Sequence, residues 1–512
     1  MNGFTYQVYL RSFQDSDGDG VGDLNGLRRR LPILADLGVE ALWLSPFHPS
    51  PDADFGYDVA DYDAVDPRYG TLTDFDTLLH EAHQRGIGVW MDGVFNHTSA
   101  AHPWFVSSAA GGEHRDWYHW HAGDRPPNNW QSTFRGPAWT FHPGRRAFYL
   151  HSFAAAQPDL NWRHPPVADA ILASMEGWLA RGVDGFRLDV FNCYRKDPAL
   201  RDNPRRWSLL GLAHGYFAQH HIHDRDQADL AEVLGRMRAL ADRFGATLVG
   251  ETLDEQFVYD NAAQWVGPSL LHHAFDFRLL HSRWGAQPFA RAIEGTLAGL
   301  RPPSQPAWAL SNHDFPRAMS RWGDRPDRAR LLPLLLCALP GAVFLYQGEE
   351  LGLSEARLPR AALRDPPGVA HWPFYKGRDG CRTPMPWSEG PQAGFTEGTP
   401  WLPIPAAHRP RHQGAQAADP ASLWRLHQAA LRLRRQSPAL REGAMGPVEV
   451  WQGDVLRLLR RHPAGDIEAL LNLGDRPRPI PAGAAPLLAV GAVEAGQLGP
   501  CAGLLRPAGL TV

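Results

Sequence analysis

"ILASMEGWLARGVDGFRLDV" (171–190) reads as a helical pattern running through a glycine into a short apolar strand. Helix followed at once by strand is half of a repeating unit, and the same alternation recurs on both sides of it. Upstream, "TYQVYL" is a first strand with the helix "LNGLRRRLPILADLG" behind it. "VEALWLS" is a second, with "TDFDTLLHEAHQRG", and "IGVWMDGVF" a third. Downstream, "LAEVLGRMRALADRFG" precedes "ATLVGET", "PFARAIEGTLAGL" precedes "AWALSNHD", and "RARLLPLLLCAL" precedes "AVFLYQGEE". A weaker strand near 272–276 brings the total to eight. The alternation predicts an α/β fold, a (β/α)8 TIM barrel with its helices outside.

Two regions break the pattern. Residues 98–165, rich in Trp, His, Pro and Gly, form a long excursion after the third strand, where a barrel builds its site. After a last helix, "ASLWRLHQAALRLRRQS", the tail holds short β-like runs: "VEVWQG", "VLRLLRR" and "IEALLNLG". The expected organisation is a first part of the barrel over 1–97 and a loop-rich inserted subdomain over 98–165. The second part of the barrel follows over 166–438, and a small C-terminal β-sandwich over 439–512. A chain of 512 residues can bury a core of that size, and 50 glycines with 45 prolines suit its many turns and loops.

Apolar residues make up 44% and charged residues 21%, the proportions of a soluble globular protein. A net charge of −4 points to no nucleic-acid or anionic-membrane partner. Cys193, Cys337, Cys381 and Cys501 are scattered without metal-ligand spacing, which suits a reducing compartment. The N-terminus shows no signal-peptide pattern. The apolar run 331–346 is short and broken by Pro and Gly, so a helix entering a buried strand explains it better than a membrane span. A cytoplasmic protein without a membrane anchor is expected.

Acidic, basic and histidine residues follow the strands. "DGVFNH" ends at His97 after strand three, and "GFRLD" gives Arg187 and Asp189 after strand four. Glu251 follows strand five, and His313 and Asp314 follow strand seven. A barrel gathers its strand ends onto one face, so distant residues can meet there. Arg187 and Asp189 are two apart on a strand and point the same way. The guanidinium favours an ionised carboxylate, as a nucleophile requires, whereas Glu251 after apolar "TLVG" could be kept protonated by burial, as a general acid requires. Two carboxyls with separated pKa values suit double-displacement glycoside hydrolysis.

These segments resemble the conserved regions of the α-amylase family of glycoside hydrolases, family 13, and most closely its oligo-1,6-glucosidase and α-glucosidase branch. "GYDVADY" (56–62), "DGVFNH", "QPDLN" (157–161), "GFRLDVFN", "GET", "SNHD" and "RDGCRTPMPW" (378–387) occur in the family's order across nearly the whole chain. The resemblance implies Asp189 as nucleophile, Glu251 as general acid/base and Asp314 as the third carboxylate, steadying an oxocarbenium-like transition state. It implies that His97, Arg187 and His313 contact the glucose at the bond being cut and that Tyr57 stacks on its ring. Asp58, with Arg378 or Arg382, would grip the non-reducing end, Arg378 being favoured. An ion pair there would close the pocket beyond one sugar and favour release of single glucose units.

The resemblance therefore implies an exo-acting retaining α-glucosidase whose partner is a small oligosaccharide; it says nothing of oligomeric state. Val190, beside the nucleophile, resembles the α-1,6-acting members, whereas α-1,4-acting relatives tend to have Thr or Ala there. Isomalto-oligosaccharides are the expected substrates. An α-1,4-glucosidase, a glucosyl transferase or sucrose isomerase, and a trehalose-phosphate hydrolase remain alternatives. Ser311, Arg195, and Asp254 with Glu255 depart from the family's pattern on the side of the leaving group. The same fold also occurs as a non-enzymatic ectodomain of amino-acid transporters, which lacks the three carboxylates kept here.

One motif lies outside this chemistry. "DSDGDGVGD" (15–23) places Asp15, Asp17, Asp19 and Gly20 at positions one, three, five and six of an EF-hand loop, with Val21 at seven and Asp23 at nine. Position twelve fails, because Gly26 stands where the bidentate glutamate belongs. An Asp/Gly-rich surface turn is the plain alternative. Related glucosidases carry a structural Ca²⁺ in the corresponding loop after strand one. The resemblance thus implies Ca²⁺, or Mg²⁺ on the same hard oxygen ligands, as a structural cofactor held by Asp15, Asp17, Asp19, Val21 and Asp23.

Overall fold

The computed structural model describes residues 3–212, 214–253, 262–301, 304–494 and 496–509. Eight strands fall where the alternation predicts: β1 (Phe4–Val8), β2 (Ala41–Leu44), β3 (Gly88–Gly93), β4 (Gly185–Leu188), β5 (Thr247–Gly250), β6 (His273–Ala274), β7 (Ala307–Ala309) and β8 (Ala342–Tyr346). They pair in the order β7-β8-β1-β2-β3-β4-β5-β6. A parallel bridge from Phe275, next after β6, to Ala307 joins the two ends of that order, giving a nearly closed parallel barrel. β8 is buried along its whole length, as a strand covered on both faces must be.

The helix Pro165–Arg181 begins with two prolines, whose missing N–H groups cost nothing in a first turn. It ends at Gly182, in the left-handed region at φ 111°, where its N–H caps the carbonyls of Trp178 and Leu179. Gly185 then opens β4, where an added Cβ would meet the Thr247 carbonyl at 2.5 Å. Two compact units make up the chain, one of Trp43–Leu79 and Val89–Ala274, the other of Met1–Leu42, His80–Gly88 and Phe275–Val512.

In the first of these units, the excursion after β3 holds the helix Pro103–Ala109 and a three-stranded antiparallel sheet, Ala147–Leu150 lying between Trp120–Ala122 and Trp139–His142. Trp130, Ala138, Trp139 and Leu150 form its core, so part of the tryptophan excess is packing. The segment 157–161 returns along the end of β3: His97 bridges Asp159, and Leu160 N–H donates to the Asn96 carbonyl at 2.9 Å.

In the other unit, the helix Leu24–Leu37 buries Leu24, Leu27, Leu31, Leu34 and Leu37 along one face. The apolar run 331–346 is a helix, Leu332–Ala338, leading into β8. The tail forms two antiparallel sheets. The larger orders Ala444–Trp451, Val455–Arg461, Ile467–Asn472, Gly503–Pro507 and Leu488–Val490; the smaller orders Arg478–Pro479, Gln497–Leu498 and Val493–Glu494. Both contribute to one core through Val455, Leu470, Leu498 and Leu504. Among the described residues no helix is long and apolar enough to cross a membrane.

Candidate active site

Backbone register builds the first cluster of polar residues. Asp92 on β3 is paired with Arg187 on β4, so the two side chains stand side by side. The ladder continues past the strand ends: Asp189 N–H donates to the Gly93 carbonyl and Glu251 N–H to the Leu188 carbonyl, each at 3.0 Å. Gly250 leaves room for this packing, since a Cβ there would meet the Phe191 ring at 2.4 Å. The buried Arg187 guanidinium reaches Asp92 at 2.6 Å and Asp189 at 2.8 Å, and it also pairs with Glu251. Trp43 and Tyr57 present ring faces to it, with centroids at 5.2 and 5.8 Å.

This arrangement changes two readings. Glu251 is buried as expected, but it is not isolated in an apolar pocket, because the Arg187 guanidinium is its ion-pair partner. Val190 is not a strand residue. It sits past the end of β4 at φ 36°, a left-handed conformation that a β-branched side chain adopts only under strain. Asp92 had no role in the sequence reading, although it lies within "DGVFNH". Its second oxygen accepts from Tyr57 Oη at 3.0 Å and Trp43 Nε1 at 3.2 Å. Burial pushes its carboxyl up, with the charge of Asp189 adding to the effect against the pull of Arg187.

Tyr57 and His97 belong to the same unit. His97 Nε2 lies 2.9 Å from the Tyr57 carbonyl. Burial lowers the His97 pKa, so the imidazole is neutral near pH 7. Asp58 requires correction, because its carboxylate is committed within its own loop. Its fully buried carboxylate accepts from Ser50 Oγ at 2.7 Å, Ala53 N–H at 3.0 Å and Asp54 N–H at 3.1 Å, which commits it to shaping its own loop. Asp54, in the same "ADFGYD" stretch, is the buried carboxylate beside Tyr57 and His97. Its Oδ2 lies 3.5 Å from Gln157 Nε2, which also reaches the Tyr57 carbonyl at 3.2 Å. The sequence reading took the aspartate next to the tyrosine; the hydrogen bonds commit that one to its own loop.

The remaining predicted residues cluster in the other unit. Asp314 Oδ1 accepts from Arg382 at 2.9 Å and Arg378 at 3.1 Å, while Oδ2 lies 3.2 Å from His313 Nε2. His313 is held from behind by Gln7 Nε2, 2.7 Å from its Nδ1, and stacks on Tyr9 at 5.8 Å. Arg378 also pairs with the buried Asp365 at 2.7 Å. Arg378, favoured for Asp58, and its alternative Arg382 therefore both serve Asp314. Arg195 turns to Asp229 and Glu232, each at 3.6 Å, and Ser311 Oγ accepts from Ala318 N–H at 2.8 Å. Asp254 and Glu255 lie outside the described residues.

In the aspartate loop, Asp15, Asp17 and Asp19 bring carboxylate oxygens within 4.8 Å of one another, a hard donor set that fits Ca²⁺ or Mg²⁺. Val21 lies alongside, its N–H donating to Asp19 Oδ1 at 2.7 Å. Asp23 does not join the cluster. Its side chain caps the helix Leu24–Leu37, accepting from Gly26 N–H at 2.7 Å, and also takes Ser16 N–H at 2.7 Å and Ser16 Oγ at 2.8 Å. Burial works to raise the Asp15 carboxyl, but hydrogen bonds from Thr396 and from the Gly18, Gly20 and Asp17 N–H groups hold it below its ordinary value. Burial raises Asp19, and the charges of Asp17, Asp15 and Asp23 add to that.

Carboxylates set past the ends of barrel strands, two of them on one buried guanidinium, define a glycoside hydrolase framework. Residues 7–443 match the alpha amylase catalytic domain, and the chain belongs to the α-amylase family of glycoside hydrolases. It is 45% identical over 489 residues to the probable alpha-glucosidase of Rhizobium meliloti (strain 1021), covering 92% of this chain and 88% of that protein. Against the oligo-1,6-glucosidase of Parageobacillus thermoglucosidasius the identity is 36% over 470 residues, covering 84% and 82%. The crystal structure of an alpha-glucosyl transfer enzyme, XgtA, superposes with a TM-score of 0.92 at 41% identity over 98% of each chain. The chain is thus similar to enzymes named alpha-glucosidase and oligo-1,6-glucosidase, and it is a glycoside hydrolase of that family.

Proposed function

We propose that the protein is an exo-acting, retaining α-glucosidase that removes glucose from the non-reducing end of short α-glucosides, preferentially α-1,6-linked isomalto-oligosaccharides. The observation that carries this reading is the Arg187 guanidinium, with Asp189 and Glu251 on its two terminal nitrogens. Double displacement needs two carboxyls close together, and contact with the same guanidinium brings these two near each other past the strand ends. Asp189 attacks the anomeric carbon while Glu251 delivers a proton to the departing oxygen. Glu251 then takes a proton from water, whose oxygen displaces Asp189 and restores the free enzyme. Asp314, His313, Arg378, Arg382, His97 and Tyr57 are assigned to binding the glucose, and Asp54 replaces Asp58 among them. The α-1,6 preference rests on Val190 and on the oligo-1,6-glucosidase relative.

A second reading, glucosyl transfer, is favoured by the similarity to the alpha-glucosyl transfer enzyme, since an acceptor hydroxyl can replace water at the same intermediate. We further propose a structural Ca²⁺ at Asp15, Asp17 and Asp19, and a cytoplasmic location, supported by four buried, unpaired cysteines. The experiment that tests the function is a product panel on isomaltose, maltose, sucrose, trehalose and trehalose phosphate, with the first anomer read by NMR. Glucose from isomaltose, released first as the α-anomer, is expected. Initial β-glucose would refute retention, faster cleavage of maltose would refute the linkage, and no turnover would refute the activity.

A further inference from the structure

Only two of the chain's 51 basic residues are lysines, and one of them, Lys196, follows the proposed nucleophile by seven residues. Its ammonium is buried, with 1% of the side chain exposed, and lies 2.9 Å from Asp159 Oδ2. It donates further to Ser152 Oγ at 3.2 Å and Asn96 Oδ1 at 3.4 Å. Three acceptors thus meet the three N–H donors of an ammonium. An arginine would bring five donors in a planar fork to the same enclosed place and leave some without an acceptor. In a chain that otherwise uses arginine, lysine here answers a local geometric demand.

That demand reaches His97. With Oδ1 turned to the ammonium, the Asn96 amide directs Nδ2 at Asp159 Oδ1, 3.3 Å away, and at His97 Nδ1, 3.2 Å away. The reverse orientation would set an NH2 group against an ammonium and a carbonyl against a carboxylate, so the two charges fix the flip. An amide NH2 can only donate, which makes His97 Nδ1 the acceptor and leaves the ring proton on Nε2. The far side agrees: the Tyr57 carbonyl, which can only accept, lies 2.9 Å from Nε2. Gln157 Nε2, 3.2 Å from the same ring nitrogen, shares that carbonyl.

We infer that Lys196 is a positioning residue which, by orienting the Asn96 amide, holds His97 in the Nε2–H tautomer, whose proton the Tyr57 carbonyl accepts in the free protein and a bound substrate hydroxyl shares as a three-centre hydrogen bond. The inference rests on the reading of His97 as a glucose contact. Without the ammonium, the amide is free to turn its oxygen to Nδ1 and draw the ring proton there. Hydrogen bonds to sugar hydroxyls that strengthen in the transition state are then lost, and the deficit falls on kcat more than on KM.

The test uses the full-length enzyme with isomaltose as substrate and ¹⁵N-histidine NMR to read the tautomer, the His97 signals being assigned by their loss in His97→Gln. The double variant Lys196→Met/Asp159→Asn removes both buried charges together and so leaves neither unpaired, with its fold checked by circular dichroism. We expect it to lose about 10- to 100-fold in kcat/KM, the range typical of removing a group that orients a functional histidine, and to shift the His97 proton toward Nδ1. Asn96→Asp keeps an acceptor for Lys196 but offers one to Nδ1 as well, and the same losses are expected even if the double variant fails to fold. Wild-type kcat/KM with an unchanged tautomer in a folded Asn96→Asp or double variant would overturn the inference. An impaired His97→Gln beside such a result leaves the reading of the site intact; a fully active His97→Gln would remove both.

Discussion

At the scale of single residues, the site is organised around one charge. Arg187 serves Asp92, Asp189 and Glu251 at once, so each carboxylate lost should have its own signature. Asp189→Ala should lower turnover of a chromogenic α-glucoside by at least about a thousandfold while circular dichroism stays unchanged. Substantial residual activity would exclude Asp189 as nucleophile. Asp92→Asn acts differently, because it removes one charge-assisted hydrogen bond while Asp189 and Glu251 still neutralise Arg187: a stability loss of about 1–3 kcal/mol in urea unfolding is expected alongside reduced activity. Val190→Thr keeps the β-branch at a strained φ and should raise activity on maltose relative to isomaltose; an unchanged ratio would end Val190's claim on linkage. The sequence disclosed Asp189, Arg187 and Glu251 through their places at strand ends. It offered Asp58, whose commitment to its own loop only hydrogen bonding reveals.

At the scale of elements, the aspartate loop after β1 combines two devices that the sequence presented as one. Asp15, Asp17 and Asp19 make the cation cluster, whereas Asp23 belongs to the helix that follows. If the cluster holds Ca²⁺, excess chelator should lower the melting temperature and added Ca²⁺ should restore it. Unchanged melting would count against a bound ion. Asp23→Ala should instead cost about 1 kcal/mol through the lost cap, by a similar amount with and without chelator. Spacing alone could not separate the roles, since a carboxylate at the ninth position of the loop is also the residue before the helix.

At the scale of the whole molecule, the C-terminal sheets are tied to the chain that precedes them. Arg460 is buried and donates to the Gly443, Ala338 and Leu339 carbonyls, and a Cβ on Gly503 would touch Leu331. Arg434 satisfies further carbonyls at the end of the helix Leu332–Ala338, including that of Leu336. Deleting residues 443–512 should therefore yield an aggregating or markedly less stable protein. A truncated chain that melts at the full-length temperature would show that the tail is dispensable.

The sequence by itself determined the strand–helix alternation, the excursion after β3, the β-rich tail and the family. These follow from local periodicity and from short motifs, which neighbouring residues alone can specify. Tertiary structure decided which charges meet. The sharing of Arg187 among three carboxylates, the service of Arg378 and Arg382 to Asp314, and the burial of Lys196 against Asp159 and Asn96 all depend on contacts between segments far apart in the chain. Coulomb energy and hydrogen-bond satisfaction vary with distances that no spacing in a sequence records.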